Sequence, residues 1–278
     1  RVSKKYEKEV SPLLKEELQI YKEPAELFQD PKVDCVVIAV PTVFHFELAK
    51  RALEAGKHVL LEKPMTRTLD EAKPLQRVVE KSGCIFMLGH QYIYNDYINR
   101  LKGELDKKSL GKIHYLWGEH LYVGPLPKGV GCFWETATHE LAVIDYLFSP
   151  QKISNVRGGM IDFLGNGRDD FSSVWIDFTG APSAGVVVSW LYPEKVRRLT
   201  VVGDKGSAVL DESRDEKLKF YLGEKILVPQ VKAREPLQNE LLHFIECVRE
   251  RKNPLTDIVH GMRVIKHLDT IYRTLNKI

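Results

Sequence analysis

Several features that would assign this sequence to a special class of protein are absent. No hydrophobic run approaches the roughly 18 residues that a membrane-spanning helix needs, and the first residues, Arg1 to Lys5, do not resemble a secretory signal. The formal net charge is only +3, and lysine and arginine are interleaved with aspartate and glutamate rather than clustered. We therefore expect neither a membrane nor a nucleic-acid partner.

Cysteine is scarce, and its spacing does not match a metal-binding or redox motif. None of the four cysteines belongs to a C-x-x-C pair, and Cys35 and Cys84 lie within apolar runs. This usage predicts free thiols in the reducing cytoplasm. His139 and Glu140 begin an H-E-x-x-H zinc motif, but Val143 ends the match. No G-x-S-x-G elbow marks a serine hydrolase, and we expect no metal site.

The composition, with 44% hydrophobic and 28% charged residues, is that of an ordinary globular protein. In the first third of the chain, short apolar runs alternate with helical patterns. Thr68 and Glu71 have the spacing of a helix-capping box. The patterns predict strands over 36–40, 58–61 and 85–88, and helices over 44–55, 68–83 and 92–105. Such an order predicts a parallel sheet with right-handed crossovers, and ligands bind at the carboxyl edge of such sheets.

Beyond Gly111 the pattern changes to strands with few helices between them, which favours an antiparallel sheet. The residues from Gly203 to Gly206 have the composition of a hairpin turn. The alternation predicts strands over 112–122, 156–163, 173–178, 185–190 and 198–202, and helices over 135–148, 237–251 and 259–275. We therefore predict two domains. Residues 1–111 form a Rossmann-like, doubly wound parallel sheet, and residues 112–278 form an open, mostly antiparallel sheet with helices on one face.

The glycine-rich turn that usually opens a dinucleotide-binding domain is also absent. Such a domain begins with a strand, a G-x-G-x-x-G turn and a helix, but no such turn precedes Val36. We expect that this sequence lacks about one β-α-β unit at the front of the domain. The strand-end residue that separates NAD from NADP would lie in that unit.

Spaced motifs over nearly the whole chain resemble one enzyme family. The motifs are Ala39–Thr42 with His45, the segment 55–64 that ends in Glu62-Lys63-Pro64, Gly89-His90-Gln91, Glu135 with His139, and the segment 201–207. Together they resemble the glucose-fructose oxidoreductase and inositol dehydrogenase (Gfo/Idh/MocA) family of NAD(P)-dependent oxidoreductases. The Glu-Lys-Pro step directly after a strand is the most specific of these motifs.

Lys63 is the first candidate for a catalytic residue. It follows a predicted strand at its carboxyl end, and Pro64 restricts its backbone to an extended geometry. The resemblance implies that this lysine stabilises the negative charge that develops on the reacting oxygen. The alternative is a surface lysine. The resemblance and the strand-end positions predict these cofactor-binding residues: Pro41, Thr42, His45, Glu62, Lys63 and Gln91.

His139 is the candidate proton acceptor, because oxidation of an alcohol needs a base that titrates near the working pH. Glu135 lies four residues earlier, on the same helix face, where it could orient the ring or hydrogen-bond the substrate. Many family members have aspartate or asparagine at that position. A structural core histidine is the alternative for His139. The predicted substrate-binding residues are Lys63, His90, Tyr94, Trp134, Glu135 and His139.

The resemblance implies an enzyme that transfers a hydride between NAD or NADP and a secondary alcohol or ketone of a sugar, polyol or sugar derivative. One alternative is a sugar-nucleotide 3-dehydrogenase of polysaccharide biosynthesis, and the other is a non-catalytic relative that acts as a sensor or assembly partner. A pocket rich in arginine and lysine would favour the sugar nucleotide. Its candidate residues are Arg157, Lys195, Arg197 and Arg198. The resemblance also implies a homodimer or homotetramer that assembles through the second-domain sheet.

Overall fold

The structure, a computed structural model, describes residues 19–124, 129–150 and 152–276. Its first sheet is parallel and has the order β1-β2-β3. The strands are β1 (Cys35–Ile38), β2 (His58–Glu62) and β3 (Phe86–Gly89). The helices of this part are α1 (Pro24–Gln29), α2 (His45–Glu54), α3 (Leu69–Ser82) and α4 (Asp96–Asp106). The predicted parallel β-α-β-α-β unit is confirmed.

Local sequence signals set the ends of these helices. The side chain of Thr68 accepts a hydrogen bond from the backbone N–H of Glu71 at 3.2 Å, which caps α3 as predicted. Gly56 follows α2 and Gly83 ends α3, with φ angles of +76° and +65°. Glycine adopts this left-handed conformation without steric cost, so both residues end their helices cleanly.

The single helix predicted over 92–105 is wrong at its start. Residues Gln91–Tyr94 form a short 3-10 helix, and α4 begins only at Asp96. Asn95 separates the two, because its side chain accepts a hydrogen bond from the N–H of Tyr97 at 2.9 Å. Asparagine favours this cap over a helix interior, so the chain turns between Tyr94 and Asp96.

The second sheet has eight strands in the order β11-β10-β9-β8-β4-β7-β6-β5. Only the pairing of β4 with β7 is parallel, so the prediction of a mostly antiparallel sheet is confirmed. The turn predicted from Gly203 to Gly206 joins β8 to β9. The strands are β4 (Ile113–Val123), β5 (Lys152–Ile161), β6 (Phe171–Thr179), β7 (Ser183–Ser189), β8 (Leu191–Gly203), β9 (Ser207–Asp211), β10 (Leu218–Leu222) and β11 (Lys225–Leu227). The short strands β9 to β11 were not predicted.

Three further helices complete the described chain: α5 (Cys132–Phe148), α6 (Pro236–Glu250) and α7 (Ile258–Leu275). Helix α5 packs against α7 and strand β7, whereas α7 also contacts α3, β3 and β5. Helix α7 therefore joins the two sheets into one structure. No helix in the described ranges is both long and apolar enough to cross a membrane.

Helix α5 begins at Cys132, three residues before the predicted start, because Asp169 caps it from a distant segment. The carboxylate of Asp169 accepts a hydrogen bond from the N–H of Phe133 at 2.6 Å, and its carbonyl accepts one from the N–H of Cys132 at 2.7 Å. Tyr272 donates its hydroxyl to the same carboxylate at 2.6 Å. These bonds fix the start of the helix that carries Glu135 and His139.

Candidate active site

The carboxyl ends of β1, β2 and β3 bring three of the predicted segments to one edge of the first sheet. Pro41 and Thr42 follow β1, Glu62 ends β2 with Lys63 directly after it, and Gln91 follows β3. This convergence results from the parallel register, in which residues 38, 61 and 88 lie side by side.

Glu62 lies against the backbone of Gly89 at this edge. A Cβ atom on Gly89 would lie only 3.2 Å from the Oε2 atom of Glu62, so glycine leaves the room that the carboxylate occupies. The carboxylate accepts a hydrogen bond from the N–H of Lys63 at 3.3 Å. Burial raises the pKa of Glu62, and that hydrogen bond partly offsets the rise.

Lys63 and Glu135 form a direct ion pair. The Nζ atom of Lys63 lies 2.7 Å from Oε1 of Glu135 and 3.2 Å from its backbone oxygen. Both side chains are largely shielded from solvent, at 20% and 16% exposure. The pair therefore ties the end of β2 to helix α5 and holds the ammonium group in one position.

His139 lies beside this pair and is buried. Its Nδ1 atom has no hydrogen-bond partner among the described residues. The ring of Tyr92 packs edge-on against it, with 4.7 Å between ring centroids. Burial lowers the pKa of His139 well below its ordinary value, and the charge of Lys63 lowers it further. The imidazole is therefore neutral at physiological pH and able to accept a proton.

His120, on β4, is a second histidine of this region that the sequence reasoning missed. Its ring centroid lies 5.5 Å from that of His139. Arg197 donates its Nε–H to Nε2 of His120 at 3.2 Å, so the His120 proton is on Nδ1, which lies 3.1 Å from Oε1 of Glu140. Both ring nitrogens are thus engaged. The alternation along β4, where Leu116, Gly118 and His120 share the buried face, is the sequence signal for it.

His90 belongs to a buried hydrogen-bonded chain behind the site. Asp145 accepts from Nδ1 of His260 at 2.8 Å, so Nε2 of His260 accepts from Nδ1 of His90, also at 2.8 Å. The remaining Nε2 of His90 faces the hydroxyl of Thr138 at 3.4 Å. Burial lowers the pKa of His90 well below its ordinary value. His90 is thus placed as a link between β3 and helices α5 and α7.

Three other predicted site residues also have their polar atoms engaged within the protein. Both ring nitrogens of His45 lie 2.8 Å from backbone carbonyl oxygens, those of Pro64 and Val40. The hydroxyl of Tyr94 lies 2.9 Å from that of Thr256, and Trp134 donates to a backbone carbonyl at 3.0 Å. In this structure, His45, His90, Tyr94 and Trp134 do not line the cavity beside Lys63 and His139. They are placed as supports around it.

A cavity of about 570 Å³ opens between the two sheets at the Lys63–Glu135 pair; we call it the catalytic cavity. No aspartate or glutamate side chain is among its described lining residues. These residues are Lys63, Gln91, His120, Tyr122, Val123, Thr136, His139, Pro193, Lys195 and Arg197. A volume of this size holds a small organic ligand.

The strand-end residues fit the nicotinamide end of a dinucleotide. Glu62 has one carboxylate oxygen without a hydrogen bond to the described residues, and Thr42 presents a hydroxyl at the neighbouring strand end. A carboxylate and a hydroxyl at such an edge are suited to ribose hydroxyls. When bound, the nicotinamide accepts or returns a hydride. The fold and this edge together define a nicotinamide-dependent oxidoreductase.

Comparison with known proteins identifies the family. Residues 4–90 match the NAD-binding Rossmann-fold domain of the Gfo/Idh/MocA oxidoreductase family, and residues 98–209 match a C-terminal domain of the same family. The chain belongs to this family and uses NAD or NADP. It is 29% identical over 255 residues to scyllo-inositol 2-dehydrogenase (NAD(+)) of Bacillus subtilis (strain 168), covering 85% of this chain and 74% of that protein.

Two solved structures share the fold. UDP-N-acetylglucosamine 3-dehydrogenase from Acidithiobacillus ferrooxidans superimposes with a TM-score of 0.84 at 20% identity, covering 99% of this chain and 88% of that chain. An inositol dehydrogenase homologue from Azotobacter vinelandii, complexed with NADH and myo-inositol, gives a TM-score of 0.79 at 17% identity, covering 91% and 79%. At these identities the likeness establishes the fold alone.

Proposed function

We propose that the protein oxidises a secondary alcohol of a sugar, polyol or sugar derivative, or reduces the corresponding ketone, in the catalytic cavity. The observation that carries the proposal is that Lys63 and His139 line one cavity beside the strand ends, while Glu135 forms an ion pair with Lys63. His139 also differs from its neighbours. His45, His90 and His120 have both ring nitrogens engaged, whereas His139 has no hydrogen bond to the described residues.

Each of the three residues has a distinct role in this proposal. His139 accepts the hydroxyl proton on a ring nitrogen as the carbon is oxidised, and it returns the proton in the reverse reaction. The ammonium group of Lys63 stabilises the negative charge that develops on the same oxygen. Glu135 positions that ammonium group through the 2.7 Å contact. Pro41, Thr42, Glu62 and Gln91 hold the cofactor, supported by their positions at the strand ends.

The first test is a titration of the protein with NADH and with NADPH, followed by nicotinamide fluorescence, with Lys63→Ala in parallel. Turnover is then measured with scyllo-inositol, myo-inositol and D-glucose. We expect His139→Gln to lower kcat by roughly 10²- to 10⁴-fold and to change the cofactor Kd by less than about twofold. His114→Gln, at an exposed position on β4, is the matched control. A folded protein that binds neither cofactor, or full turnover by His139→Gln, would sink the proposal.

We also propose that the protein is cytoplasmic and forms a homodimer or homotetramer through the eight-stranded sheet. All four cysteines are free, which supports a reducing compartment. The sheet face opposite α5 carries a cluster of Tyr115, Trp117 and Trp175, with ring centroids 5.8 and 6.4 Å apart. Aromatic clusters of this kind are common at interfaces. Light scattering tests the assembly. A monomer mass for the wild-type protein, and the same mass for Trp175→Glu, would refute it.

The division into two domains at residue 111 is part of the same proposal. The three-stranded sheet ends at Gly89 and the eight-stranded sheet begins at Ile113, which supports a boundary in this interval. Limited proteolysis that released a stable fragment beginning near residue 112 would agree with it.

A further inference from the structure

A second cavity opens beside the catalytic cavity and shares Gln91 and Arg197 with it. It encloses about 490 Å³, and we call it the adjoining cavity. Asn95 and Tyr97 line it near the start of α4, Glu212 and Lys217 line it near β10, and the segment before α6 closes it. One sugar ring would leave much of this combined space empty, because pockets of about 300–1,000 Å³ normally hold much larger ligands.

Cationic side chains outnumber carboxylates along both cavities. Lys63 and Lys195 line the catalytic cavity, Arg197 lies at the boundary, and Lys217 and Arg234 line the adjoining cavity. Of these, Lys195, Lys217 and Arg234 have no ion pair with any residue that the structure describes. An unpaired cation that lines a cavity is available to an anionic ligand.

The only two carboxylates among the described lining residues are Glu212 and Glu235, and they leave this positive excess in place. Glu212 is already engaged, since its Oε2 atom lies 3.6 Å from Nη1 of Arg197 and its Oε1 atom accepts from Asn95 at 3.3 Å. Glu235 precedes helix α6, and its side chain makes no capping hydrogen bond. The start of this 15-residue helix lines the adjoining cavity at Glu235 and Pro236. A helix N-terminus adds a further positive potential there.

We propose that the adjoining cavity is an anion subsite that holds a phosphate or diphosphate group attached to the sugar substrate. The sugar ring lies in the catalytic cavity, and Arg197 contacts the bond that links the ring to the anionic group. Lys217 and Arg234 bind the phosphate oxygens. Guanidinium groups suit phosphate because they donate paired hydrogen bonds. The Tyr97 ring, which lies 5.8 Å from Nζ of Lys217, offers an apolar surface beside them. This inference rests on the proposed function, because it assumes that the sugar reacts beside Lys63 and His139.

The test measures ligand binding to protein saturated with whichever reduced cofactor it binds, so that the cofactor's own phosphate site is filled. D-glucose, α-D-glucose 1-phosphate and UDP-glucose are titrated by calorimetry. We expect each phosphorylated ligand to bind at least about tenfold more tightly than D-glucose. A further gain from the 1-phosphate to UDP-glucose would identify a diphosphate subsite, and equal affinities would identify a subsite for a single phosphate.

Two charge reversals in one loop provide the matched comparison. Arg234→Glu should weaken binding of the phosphorylated ligands about tenfold and leave D-glucose unchanged. Lys232→Glu makes the same charge change two residues away, at an exposed position that does not line the cavity, and should stay within about twofold of the wild type.

The outcomes separate the two proposals. Phosphorylated ligands that bind no more tightly than D-glucose, or that do not bind, would overturn the anion subsite, and so would equal effects of Arg234→Glu and Lys232→Glu. In those cases, cofactor binding and His139-dependent turnover of a neutral sugar would leave the proposed function standing. Failure of cofactor binding itself would instead overturn the proposed function.

Discussion

Lys63 and Glu135 are 72 positions apart in the sequence, yet the Nζ atom of the lysine lies 2.7 Å from the Oε1 atom of the glutamate. The contact joins the end of a strand in the first sheet to the first turns of α5 in the second part of the chain. It also places the ammonium group beside His139, whose pKa it lowers. This one contact therefore both positions the ammonium group of Lys63 and sets its influence on the pKa of His139.

Glu135→Gln tests the positioning role directly. The amide keeps the shape of the side chain but removes its charge, so Lys63 loses a charge-assisted hydrogen bond and gains freedom of movement. We expect kcat to fall at least about tenfold, while the cofactor Kd stays within twofold, as measured by steady-state kinetics and fluorescence titration. Glu80→Gln, at an exposed position on α3, is the matched control. Wild-type kcat in Glu135→Gln would show that Lys63 is positioned by other contacts.

The pH dependence of kcat/KM should report His139. Because burial and then the charge of Lys63 lower its pKa, the neutral base persists below pH 6.5, and the acid limb of the profile should lie below that value. Lys63→Met removes a cation and should raise the pKa, so the acid limb should move to higher pH. The same variant should lower kcat by roughly 10²- to 10³-fold. Lys81→Met, on the exposed face of α3, should leave the limb in place. An unchanged limb in Lys63→Met would argue against His139 as the titrating base.

Asp145 should contribute stability that depends on pH. Burial raises its pKa, but the hydrogen bonds from His260 and Arg263 outweigh burial and bring the pKa from 3.8 to about 2. A carboxyl group whose pKa is lower in the folded state stabilises the protein above pH 3.8, and this contribution is lost as the pH falls toward 2. We expect Asp145→Asn to lower the free energy of unfolding by about 2 kcal/mol at pH 7.

Urea unfolding at pH 7, 5 and 4 checks this prediction. The difference between the wild type and Asp145→Asn should be constant from pH 7 to 5 and begin to shrink near pH 4. Asp106→Asn, which breaks an exposed helical ion pair with Lys102, should change stability by less than about 1 kcal/mol. If the stability difference between the wild type and Asp145→Asn grew toward low pH, it would contradict a lowered pKa of Asp145 in the folded state.

Gly89→Ala tests the edge where we place the cofactor ribose. The new methyl group would lie 3.2 Å from Oε2 and 3.3 Å from Cδ of Glu62, so the carboxylate must shift. We expect the Kd for the nicotinamide cofactor to rise roughly tenfold, which corresponds to the loss of one good hydrogen bond to a charged group. Gly103→Ala, in helix α4 with no atom within 4 Å of its added methyl group, is the control and should bind normally. Equal Kd values for Gly89→Ala and Gly103→Ala would show that Glu62 does not contribute to cofactor binding.

Local patterns were sufficient to predict most of the fold. The alternation of apolar runs and helical periods predicted the β-α-β-α-β order and the change, after Gly111, to strands with few helices between them. Both patterns could be read because strand and helix periods depend on near neighbours in the sequence. Thr68, Gly56 and Gly83 marked helix ends for the same reason. The extra turn at the start of α5 was missed because its cap, Asp169, lies 36 residues beyond Phe133. Strands β9 to β11 were also missed, and they form by pairing one after another beyond β8 in the sheet.

The site was predictable only where a residue occurs in a local motif. Lys63 follows a strand and precedes proline, and Glu135 and His139 share a helix face, so their types and spacing indicated chemistry. His120 and Arg197 occur in no such motif. Arg197 was a candidate only for a cationic pocket, and His120 was not a candidate. The pairing of β4 with β8 brings them together, so that Arg197 donates to His120 and His120 lies next to His139.

The sequence by itself determined the order of the elements, the family resemblance and the candidate acid–base and charge-stabilising groups, because these depend on residue type and short-range spacing. Only the tertiary structure decided that Nδ1 of His139 has no hydrogen-bond partner among the described residues. It also decided that His45, His90, Tyr94 and Trp134 do not line the cavity, and that a positively charged cavity adjoins it. The physical reason is that burial, hydrogen-bond saturation and the shape of a cavity are properties of contacts between distant segments. No local pattern encodes those contacts, and folding alone brings the segments together.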